Sequence, residues 1–315
     1  MADCENYLWQ LVRTVEPTQT QKDGGARSQN HLRDVLCTGN MAARITDHYL
    51  SGSYVRDTAV YPLDDVDIIF VIDPERWPRR SNIFSNIFFG TDRFPNSTSV
   101  LDSFANAIRY RYPVSSVFGQ RRSVRLQLYH LDIDVVPAII RPNNPKYIYI
   151  PDKEVSQWIV SSPQLHAENA TSVNKLQGGK LKPLVKLLKY WNGNLPSTAR
   201  FKSFAIETLC VLIFRNLQMN TLQEGLSYVF DFVAWSSGSR AMFKWHDRYG
   251  ISLGWLSPTI PDAAGTGSNL IARLPDDRRR RFIEHATRSR DKLINAFNTS
   301  HTDTACRRIS EALKM

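Results

Sequence analysis

Two closely spaced carboxylates mark the first stretch of the chain whose side chains could do chemistry. Asp65 and Asp67 flank Val66 and open the apolar run of residues 68–72. On a β-strand, alternate side chains point to opposite faces, so both carboxylates lie on one face and Val66 lies on the other. Two neighbouring anions repel each other, and a divalent metal ion would neutralise them. The spacing therefore predicts a strand that carries a metal site.

A Gly-Ser pair precedes these acids, and a second acidic strand follows them. Gly52 lets the backbone approach a ligand closely, and Ser53 offers a hydroxyl and an amide to a phosphate oxygen. Asp132 and Asp134 precede the apolar run of residues 135–140, and strand parity puts both on one face. Three carboxylates on adjacent strands can hold two metal ions about 3.5–4 Å apart, the geometry of an in-line phosphoryl displacement. The pattern predicts a phosphate-binding turn beside a metal-binding site, with Asp132 or Asp134 as the third acid.

These motifs resemble those of a known superfamily. Gly52-Ser53, the Asp65-x-Asp67 pair and the later Asp134-Val-Val-Pro are similar to the signature of the DNA polymerase β-like nucleotidyltransferases. Within that superfamily the chain most resembles the bacterial cGAS/DncV-like nucleotidyltransferases, which make cyclic or linear oligonucleotide signals in anti-phage defence. The resemblance covers roughly residues 29 to 298 and includes a helical pair that begins near Lys186.

The resemblance implies an α+β fold. Its first part would be a polymerase β-like core, in which a mixed sheet carries the catalytic acids. This core would pack on a C-terminal helical lobe and be joined to it by a long N-terminal spine helix. We expect the core with its N-terminal helices in residues 1–150 and the lobe that completes the nucleotide cleft in residues 151–315.

The resemblance also assigns roles to the acids and to the Gly-Ser pair. It implies that Asp65, Asp67 and Asp134 are metal ligands and catalytic residues for Mg²⁺, with Mn²⁺ as the alternative ion. It favours Asp134 over Asp132 as the third acid because the family places that acid directly before the Val-Val-Pro run. Asp134 would also help to remove the proton of the attacking hydroxyl. Gly52 and Ser53 would hold the β- and γ-phosphates.

Three further nucleotide-binding residues are implied for the helical lobe. Lys189 and Ser203 would reach the triphosphate, and Phe204, where relatives often carry tyrosine, would stack on a base. Each has a structural alternative: Lys189 as a solvated charge, Ser203 as a helix cap, and Phe204 as a core residue. Asp57 departs from the family, which carries a glycine at that position of the loop after the Gly-Ser pair.

The predicted function is metal-dependent nucleotidyl transfer. We expect an enzyme that joins nucleoside triphosphates into a cyclic di- or trinucleotide second messenger, releases pyrophosphate and acts in bacterial anti-phage defence. The alternative is a template-independent transferase that adds nucleotides to RNA or protein, or a linear oligoadenylate synthetase-like enzyme. An inactive nucleotide-binding module is disfavoured because all three expected acids are present. Nucleoside triphosphates are the expected partners, and a regulatory protein or nucleic-acid activator is left open.

Composition limits the class of protein further. The chain has 315 residues, with 40 Lys and Arg against 30 Asp and Glu, and its net charge of +10 suits polyanionic partners. No apolar stretch approaches the roughly 20 residues that span a bilayer, and the N-terminus lacks the features of a signal peptide. The four scattered cysteines predict reduced thiols. We therefore expect a cytoplasmic protein that does not insert into a membrane.

Periodicity predicts the elements that position these motifs. An amphipathic helix opens the chain and ends before Pro17, residues 18–27 form a loop, and a second helix runs from about Ser28 towards residues 48–50. Residues 142–160 are predicted to be connecting structure. The other predicted elements are strands at 114–118 and 124–128, helices at 181–191, 201–217, 222–235, 278–297 and 303–315, an irregular insertion at 75–97, and a loop at 250–269.

Overall fold

The computed structural model describes residues 3–78, 94–235 and 259–314. Its contacts divide the chain into two compact units, each built from separate stretches. The sheet unit consists of Pro17–Asp57 and Pro62–Leu165, and the helical unit consists of Met1–Glu16, Thr58–Tyr61 and His166–Met315. The predicted division into residues 1–150 and 151–315 stays a prediction. These units differ from it because two early stretches belong to the helical unit and residues 151–165 belong to the sheet unit.

The strands form one mixed sheet in the sheet unit. They are β1 (Ile45–Ser51), β2 (Asp65–Ile72), β3 (Ser116–Gly119), β4 (Val124–Gln127), β5 (Asp132–Ile140), β6 (Ile148–Asp152) and β7 (Gln157–Ser161). The order is β1-β2-β5-β4-β3, with β6 paired to β5 and β7 paired to β6. β2 and β5 run parallel, while the other neighbours are antiparallel. The two acidic stretches of the sequence are therefore adjacent strands.

The helices are numbered in chain order across both units. They are α1 (Cys4–Val15), α2 (Gln19–Thr38), α3 (Gly52–Val55), α4 (Ser97–Arg111), α5 (Pro163–Leu176), α6 (Leu181–Asn194), α7 (Ser203–Phe214), α8 (Leu222–Trp235), α9 (Asp276–Phe297) and α10 (Thr302–Leu313). The predicted helices after residue 180 and the strands that became β3 and β4 are confirmed. Among the described helices, none combines the length and the apolar character that crossing a membrane requires.

Burial on both faces of β2 limits where its acids can be reached. Val66, Ile68 and Phe70 are fully buried on one face, and the Phe70 ring lies 5.9 Å from the ring of Phe104 on α4. On the other face, Ile69 is buried in a smaller apolar cluster with residues of β5 and β6. Since Asp65 and Asp67 precede Ile69 on that same face, the carboxylates lie where the apolar cover ends.

The helical unit has its own core, centred on Trp191 of α6. The Trp191 ring packs edge-on against Phe230, with ring centroids 4.9 Å apart, and against Phe282 at 5.2 Å. Its indole N–H donates to Ser289 Oγ at 2.9 Å, so this buried donor is satisfied. In the same unit, the Tyr61 N–H donates to Val15 O at 2.7 Å, which ties the short 58–61 stretch to the end of α1.

The predicted loop at residues 18–27 is wrong, because helix α2 begins at Gln19 rather than near Ser28. Thr18 caps the helix in a capping box with Gln21, each side chain accepting from the other's backbone N–H at 3.3 Å. Gly25 is buried, and a Cβ there would lie 3.3 Å from Leu63. The cap and this packing offset the helix penalty of about 1 kcal/mol for a glycine. The helix also ends at Thr38, and the stretch before the Gly-Ser pair is strand β1.

The prediction of connecting structure at residues 142–160 is also wrong. This stretch contains β6 and the start of β7, and Tyr149 pairs with Ile139 of β5. The two strands are short, and they are stabilised by pairing, β6 with the end of β5 and β7 with β6. The predicted insertion at 75–97 lies largely outside the described residues. Of the predicted loop at 250–269 the structure describes residues 259–269, which carry an isolated β-bridge between Pro261 and Asn269.

Candidate active site

The parallel register of β2 and β5 gathers the acids. Asp67 lies opposite Asp134, and Asp65 lies opposite Asp132. Because residues two apart on a strand share a face, the four carboxylates form two rows on one side of the sheet. Asp134 is buried, with 6% of its surface exposed, whereas 45% of the Asp65 side chain is exposed. Two stretches more than sixty residues apart thus contribute to one acidic surface.

The Gly-Ser pair lies directly against this surface. Ser51, the last residue of β1, pairs with Asp67 in antiparallel register, and Gly52 follows it. Gly52 has φ of +74°, and a Cβ on it would lie 1.8 Å from Asp67 Oδ2. Both the backbone conformation and the space therefore require glycine. Ser53 is the next residue, in the first turn of α3, and is half-buried.

The loop after the Gly-Ser pair accommodates Asp57 in place of the family's glycine. Asp57 has φ of +56°, in the left-handed region that favours glycine and that aspartate tolerates better than most residues. Its N–H donates to Tyr54 O at 3.3 Å, and the N–H of Arg56 donates to Gly52 O at 3.3 Å. The backbone thus keeps the conformation that a glycine would favour.

The site raises the pKa of the Asp67 carboxyl to about 7. Burial is the largest cause, followed by repulsion from Asp65 and Asp134. The positive charges of Arg56 and Arg125 oppose the shift. In the absence of a metal ion, this carboxyl holds a proton close to neutral pH, as expected where anions crowd together without enough positive charge.

Arg125, which the sequence analysis missed, contacts Asp134, the predicted third acid. It lies opposite Asp134 in the antiparallel pairing of β4 and β5. Its Nε and Nη2 donate to the two oxygens of Asp134 at 2.9 and 2.6 Å, and its Nη1 donates to Asp132 Oδ2 at 2.9 Å. The hydrogen bonds to Asp134 raise the pKa of the guanidinium further. On β4, Arg125 alternates with two buried residues, a pattern that places its side chain on the opposite face from them. Only the register of β4 against β5 shows that this face carries the acids.

The chemistry of the acids suits a divalent cation. Carboxylate oxygens are the preferred ligands of Mg²⁺ and Mn²⁺, and Asp65 and Asp134 add to the burial that raises the pKa of Asp67. Within the described ranges, no three acidic, histidine or cysteine side chains already converge as a metal cluster, and Asp134 is turned towards Arg125. Asp65, Asp67 and Asp134 fit the metal, provided that Asp134 shares its oxygens.

Lys189 is a buried residue of the helical unit. Its ammonium donates to Thr58 O at 3.0 Å and Thr58 Oγ1 at 3.1 Å, and it lies 3.0 Å from Glu207 Oε2. Thr58 Oγ1 in turn donates to Glu207 at 2.9 Å. The Lys189 side chain is only 4% exposed, so it is not a solvated surface charge. Its predicted contact with a triphosphate stays a prediction.

Ser203 and Phe204 open helix α7 in the helical unit. Ser203 is exposed at the first position of the helix, and Phe204 is half-buried. The Phe204 ring contacts the His166 ring edge-on, with centroids 4.8 Å apart. His166 Nε2 lies 2.6 Å from Asp262 Oδ1. The structure thus brings Gly52, Ser53 and the acids together in the sheet unit, and the other predicted residues belong to the helical unit.

Comparisons with known proteins agree with this geometry. A family model described as the Second Messenger Oligonucleotide or Dinucleotide Synthetase domain matches residues 3–174. The cyclic AMP-AMP-AMP synthase of Acinetobacter sp. (strain ATCC 27244 / 9458) is 31% identical over 307 residues, which are 94% of this chain and 80% of that protein. The structure of E. coli MS115-1 CdnC with ATP superposes with a TM-score of 0.73 at 18% identity, covering 99% of this chain and 98% of the other. The complex of CdnC with HORMA-deltaN gives a TM-score of 0.72 at 19% identity, covering 98% and 96%.

The chain belongs to the Second Messenger Oligonucleotide or Dinucleotide Synthetase family. It is a nucleotidyltransferase of the cGAS/DncV-like group with the polymerase β-like α+β fold, and it makes a cyclic oligonucleotide second messenger. Enzymes of this group depend on a divalent metal ion. The expectations of family, fold class and type of enzyme are confirmed.

Proposed function

We propose that this enzyme joins nucleoside triphosphates into a cyclic di- or trinucleotide, releases pyrophosphate and acts in bacterial anti-phage defence. The observation that carries the proposal is the position of Asp67, opposite Asp134 and against Gly52. Paired acids next to a glycine turn support a metal site beside a phosphate-binding backbone. The similarity to a cyclic AMP-AMP-AMP synthase supports ATP as the first substrate to test and a cyclic trinucleotide as the first product.

The residues of the sheet unit have distinct proposed roles. Gly52 and Ser53 hold the β- and γ-phosphates, so that the α-phosphorus lies near the acids. The ribose hydroxyl of a second nucleotide attacks that phosphorus as the bond to pyrophosphate breaks, and Asp134 helps to take up the hydroxyl proton. When bound to Asp65, Asp67 and Asp134, Mg²⁺, or Mn²⁺ in its place, would neutralise the triphosphate and lower the pKa of the attacking hydroxyl.

The helical unit contributes the remaining proposed contacts. Ser203 is exposed at the start of α7 and can donate its hydroxyl to the triphosphate. Phe204 offers a half-buried ring on which a base can stack. Lys189 is the least direct of the three, because it must release Thr58 or Glu207 to reach a phosphate.

A regulatory protein is also part of the proposal. CdnC, which shares this fold, has been solved in complex with HORMA-deltaN. We therefore propose that a protein partner controls the activity of this enzyme. Adding a partner of that class should raise the rate of product formation, and an unchanged rate would argue for a chain that acts alone.

The function is tested by incubating the purified protein with labelled ATP, GTP, CTP and UTP and with Mg²⁺ or Mn²⁺. The products are treated with phosphatase and identified by mass spectrometry. We expect a phosphatase-resistant cyclic product that disappears in the Asp65→Asn/Asp67→Asn variant. Asp73→Asn, which removes an acid paired with Arg76 beyond the end of β2, is the control and should retain the product. A product that is linear, or that is extended on added RNA or protein, would instead establish the alternative transferase.

A further inference from the structure

The third acid of the site is already bound by a cation of the chain itself. Arg125 engages both oxygens of Asp134 in a planar fork and reaches Asp132 with its remaining amino group. The same guanidinium lies 3.9 Å from Asp65 Oδ2. The Arg125 side chain is 23% exposed and that of Asp134 is 9% exposed. The pair is therefore partly shielded from water, where charge-assisted hydrogen bonds are strong.

The sheet register gives this contact a fixed place. Asp67, Asp134 and Arg125 form one row across β2, β5 and β4. A residue in register across two strand pairs cannot slip along the sheet without moving every neighbour to the wrong face. Beside this row, the Gln120 amide lies 2.6 Å from Arg125 Nε when its oxygen faces the guanidinium. The register of β4 against β5 and the uncharged Gln120 amide thus both keep the guanidinium beside the acids.

A divalent ion and Arg125 need the same oxygens of Asp134. The guanidinium uses one lone pair on each oxygen, so a metal ion that takes either oxygen as a ligand must displace an N–H bond or bind that oxygen through its remaining lone pair, beside the guanidinium. Two cations on one carboxylate also repel each other, and the repulsion is stronger where water is partly excluded. Arg125 must therefore weaken metal binding at Asp134 as long as it stays in this position.

A released guanidinium needs another anion. Arginine keeps its charge at any accessible pH, and its fork binds phosphate oxygens as well as carboxylate oxygens. In the proposed reaction, the triphosphate is the anion that arrives together with the metal ion. Its arrival would give Arg125 a new partner at the moment when Asp134 is needed as a ligand.

We propose that Arg125 is an internal counter-ion that competes with the divalent metal ion for Asp134 and moves to the phosphates of the bound nucleotide, so that metal and nucleotide bind cooperatively. This inference rests on the proposed function. It assigns to Arg125 the coupling between metal binding and nucleotide binding. It also predicts that the nucleotide-free enzyme binds its second metal ion weakly.

The test measures Mn²⁺ binding to the full chain without nucleotide, by electron paramagnetic resonance of the free ion. Arg125→Gln removes the charge, Arg125→Lys keeps the charge but not the fork, and Arg109→Gln is the matched control. Arg109 is an exposed arginine on α4 that donates to Val117 O. Circular dichroism and thermal unfolding verify that each variant is folded. Calorimetry with a non-hydrolysable ATP analogue at saturating Mg²⁺ then measures the affinity for nucleotide.

We expect Arg125→Gln to bind Mn²⁺ about tenfold more tightly than the wild type, with the control within about twofold. We expect the same variant to bind the ATP analogue about tenfold more weakly. Should Arg125→Gln not fold, Arg125→Lys should show smaller changes in the same two directions. Unchanged or weaker Mn²⁺ binding in the folded variants would overturn the competition, and unchanged analogue affinity would overturn the transfer to phosphate. If wild-type Mn²⁺ binding survives Asp65→Asn/Asp67→Asn, the proposed function fails, whatever Arg125 does.

Discussion

Gly52 faces the carboxylate of Asp67 at a distance that leaves no room for a side chain. A Cβ at position 52 would lie 1.8 Å from Asp67 Oδ2, and the φ of +74° would strain any other residue. The turn proposed to bind phosphate therefore packs directly against the acid proposed to bind metal. A change at either position must alter the other.

The first prediction concerns this contact. Gly52→Ala should push the Asp67 carboxylate out of place and lower kcat at least 100-fold, an effect of about 2.7 kcal/mol or more on the barrier. It should also lower the free energy of unfolding by about 1–2 kcal/mol because of backbone strain. Gly193→Ala on α6, where a Cβ meets nothing within 4 Å, is the control and should retain full activity. Steady-state kinetics and urea unfolding measure both effects, and near-normal activity of Gly52→Ala would contradict the close contact.

The second prediction separates the two candidates for the third acid. Asp134→Asn should reduce kcat about 1000-fold, because Asp134 lies directly opposite Asp67 and its charge is proposed to hold metal. Asp132→Asn should cost only about tenfold, because Asp132 lies one row away, opposite the more exposed Asp65. Initial rates of product formation for the two variants provide the comparison. The reverse order of the two losses would assign the third acid to Asp132.

The third prediction follows from the pKa of Asp67, which is raised from its ordinary value of 3.8 to about 7. The folded, metal-free protein binds this proton more tightly than the unfolded chain does. The ionised carboxylate therefore destabilises the fold by an amount that is absent below about pH 4, grows from pH 4 to 7 and is complete above pH 7. Asp67→Asn removes this penalty, so in EDTA it should raise Tm more at pH 8 than at pH 5. Equal shifts at the two pH values would show that Asp67 titrates normally.

The same proton also competes with the metal ion, which gives a fourth prediction. Between pH 7 and pH 6, the affinity of the wild-type protein for Mn²⁺ should fall by up to tenfold, because Asp67 must lose its proton to act as a ligand. Titrations of Mn²⁺ at pH 6, 7 and 8 measure this dependence. Affinity that does not change between pH 6 and 7 would place the metal on groups that are already ionised.

The fifth prediction tests the buried pair of Lys189 and Glu207. Lys189→Met removes the ammonium that lies 3.0 Å from the buried Glu207 Oε2 and should cost about 3–5 kcal/mol of unfolding free energy. The double variant Lys189→Met/Glu207→Gln should recover much of that loss, because no uncompensated charge is left buried. Lys175→Met, an exposed residue of α5, is the control. Urea unfolding gives the free energies, and single and double variants of equal stability would contradict a coupled pair.

The double variant also tests the predicted nucleotide contact of Lys189. With stability largely restored, a loss of affinity for an ATP analogue reports on the lysine's own contact with phosphate. Affinity within about twofold of the wild type would mean that Lys189 acts only by holding Thr58 and Glu207, since a lost charge-assisted contact changes affinity by more than that.

Local features of the sequence were enough to predict part of the site. That Asp65 and Asp67 share a face depends only on residues two apart, and the apolar run after them made a buried strand the simplest outcome. Local features do not separate Asp132 from Asp134. Strand parity treats the two residues alike, and only the family resemblance favoured Asp134. The register of β2 against β5 adds that Asp134 lies opposite Asp67 and Asp132 opposite Asp65.

Features that depend on distant pairing were missed. Arg125 appeared as one basic residue among many until β4 was paired with β5. Helix α2 begins nine positions before the predicted start because the burial of Gly25 against Leu63 outweighs the glycine's poor helix propensity. The role of Glu207 as the buried partner of Lys189 follows only from the tertiary structure.

The interleaving of the two units affects how the protein can be made. Neither unit corresponds to one uninterrupted stretch of the gene, because the helical unit uses α1 and the 58–61 stretch as well as everything from His166 onward. Leu8 and Val12 of α1 belong to the same core as α6. Because α1 is synthesised long before α6, its apolar face stays exposed until the second half of the chain has been made. Expression of either half alone should yield an aggregation-prone fragment, and a chaperone that shields α1 during translation should increase the yield of the whole enzyme.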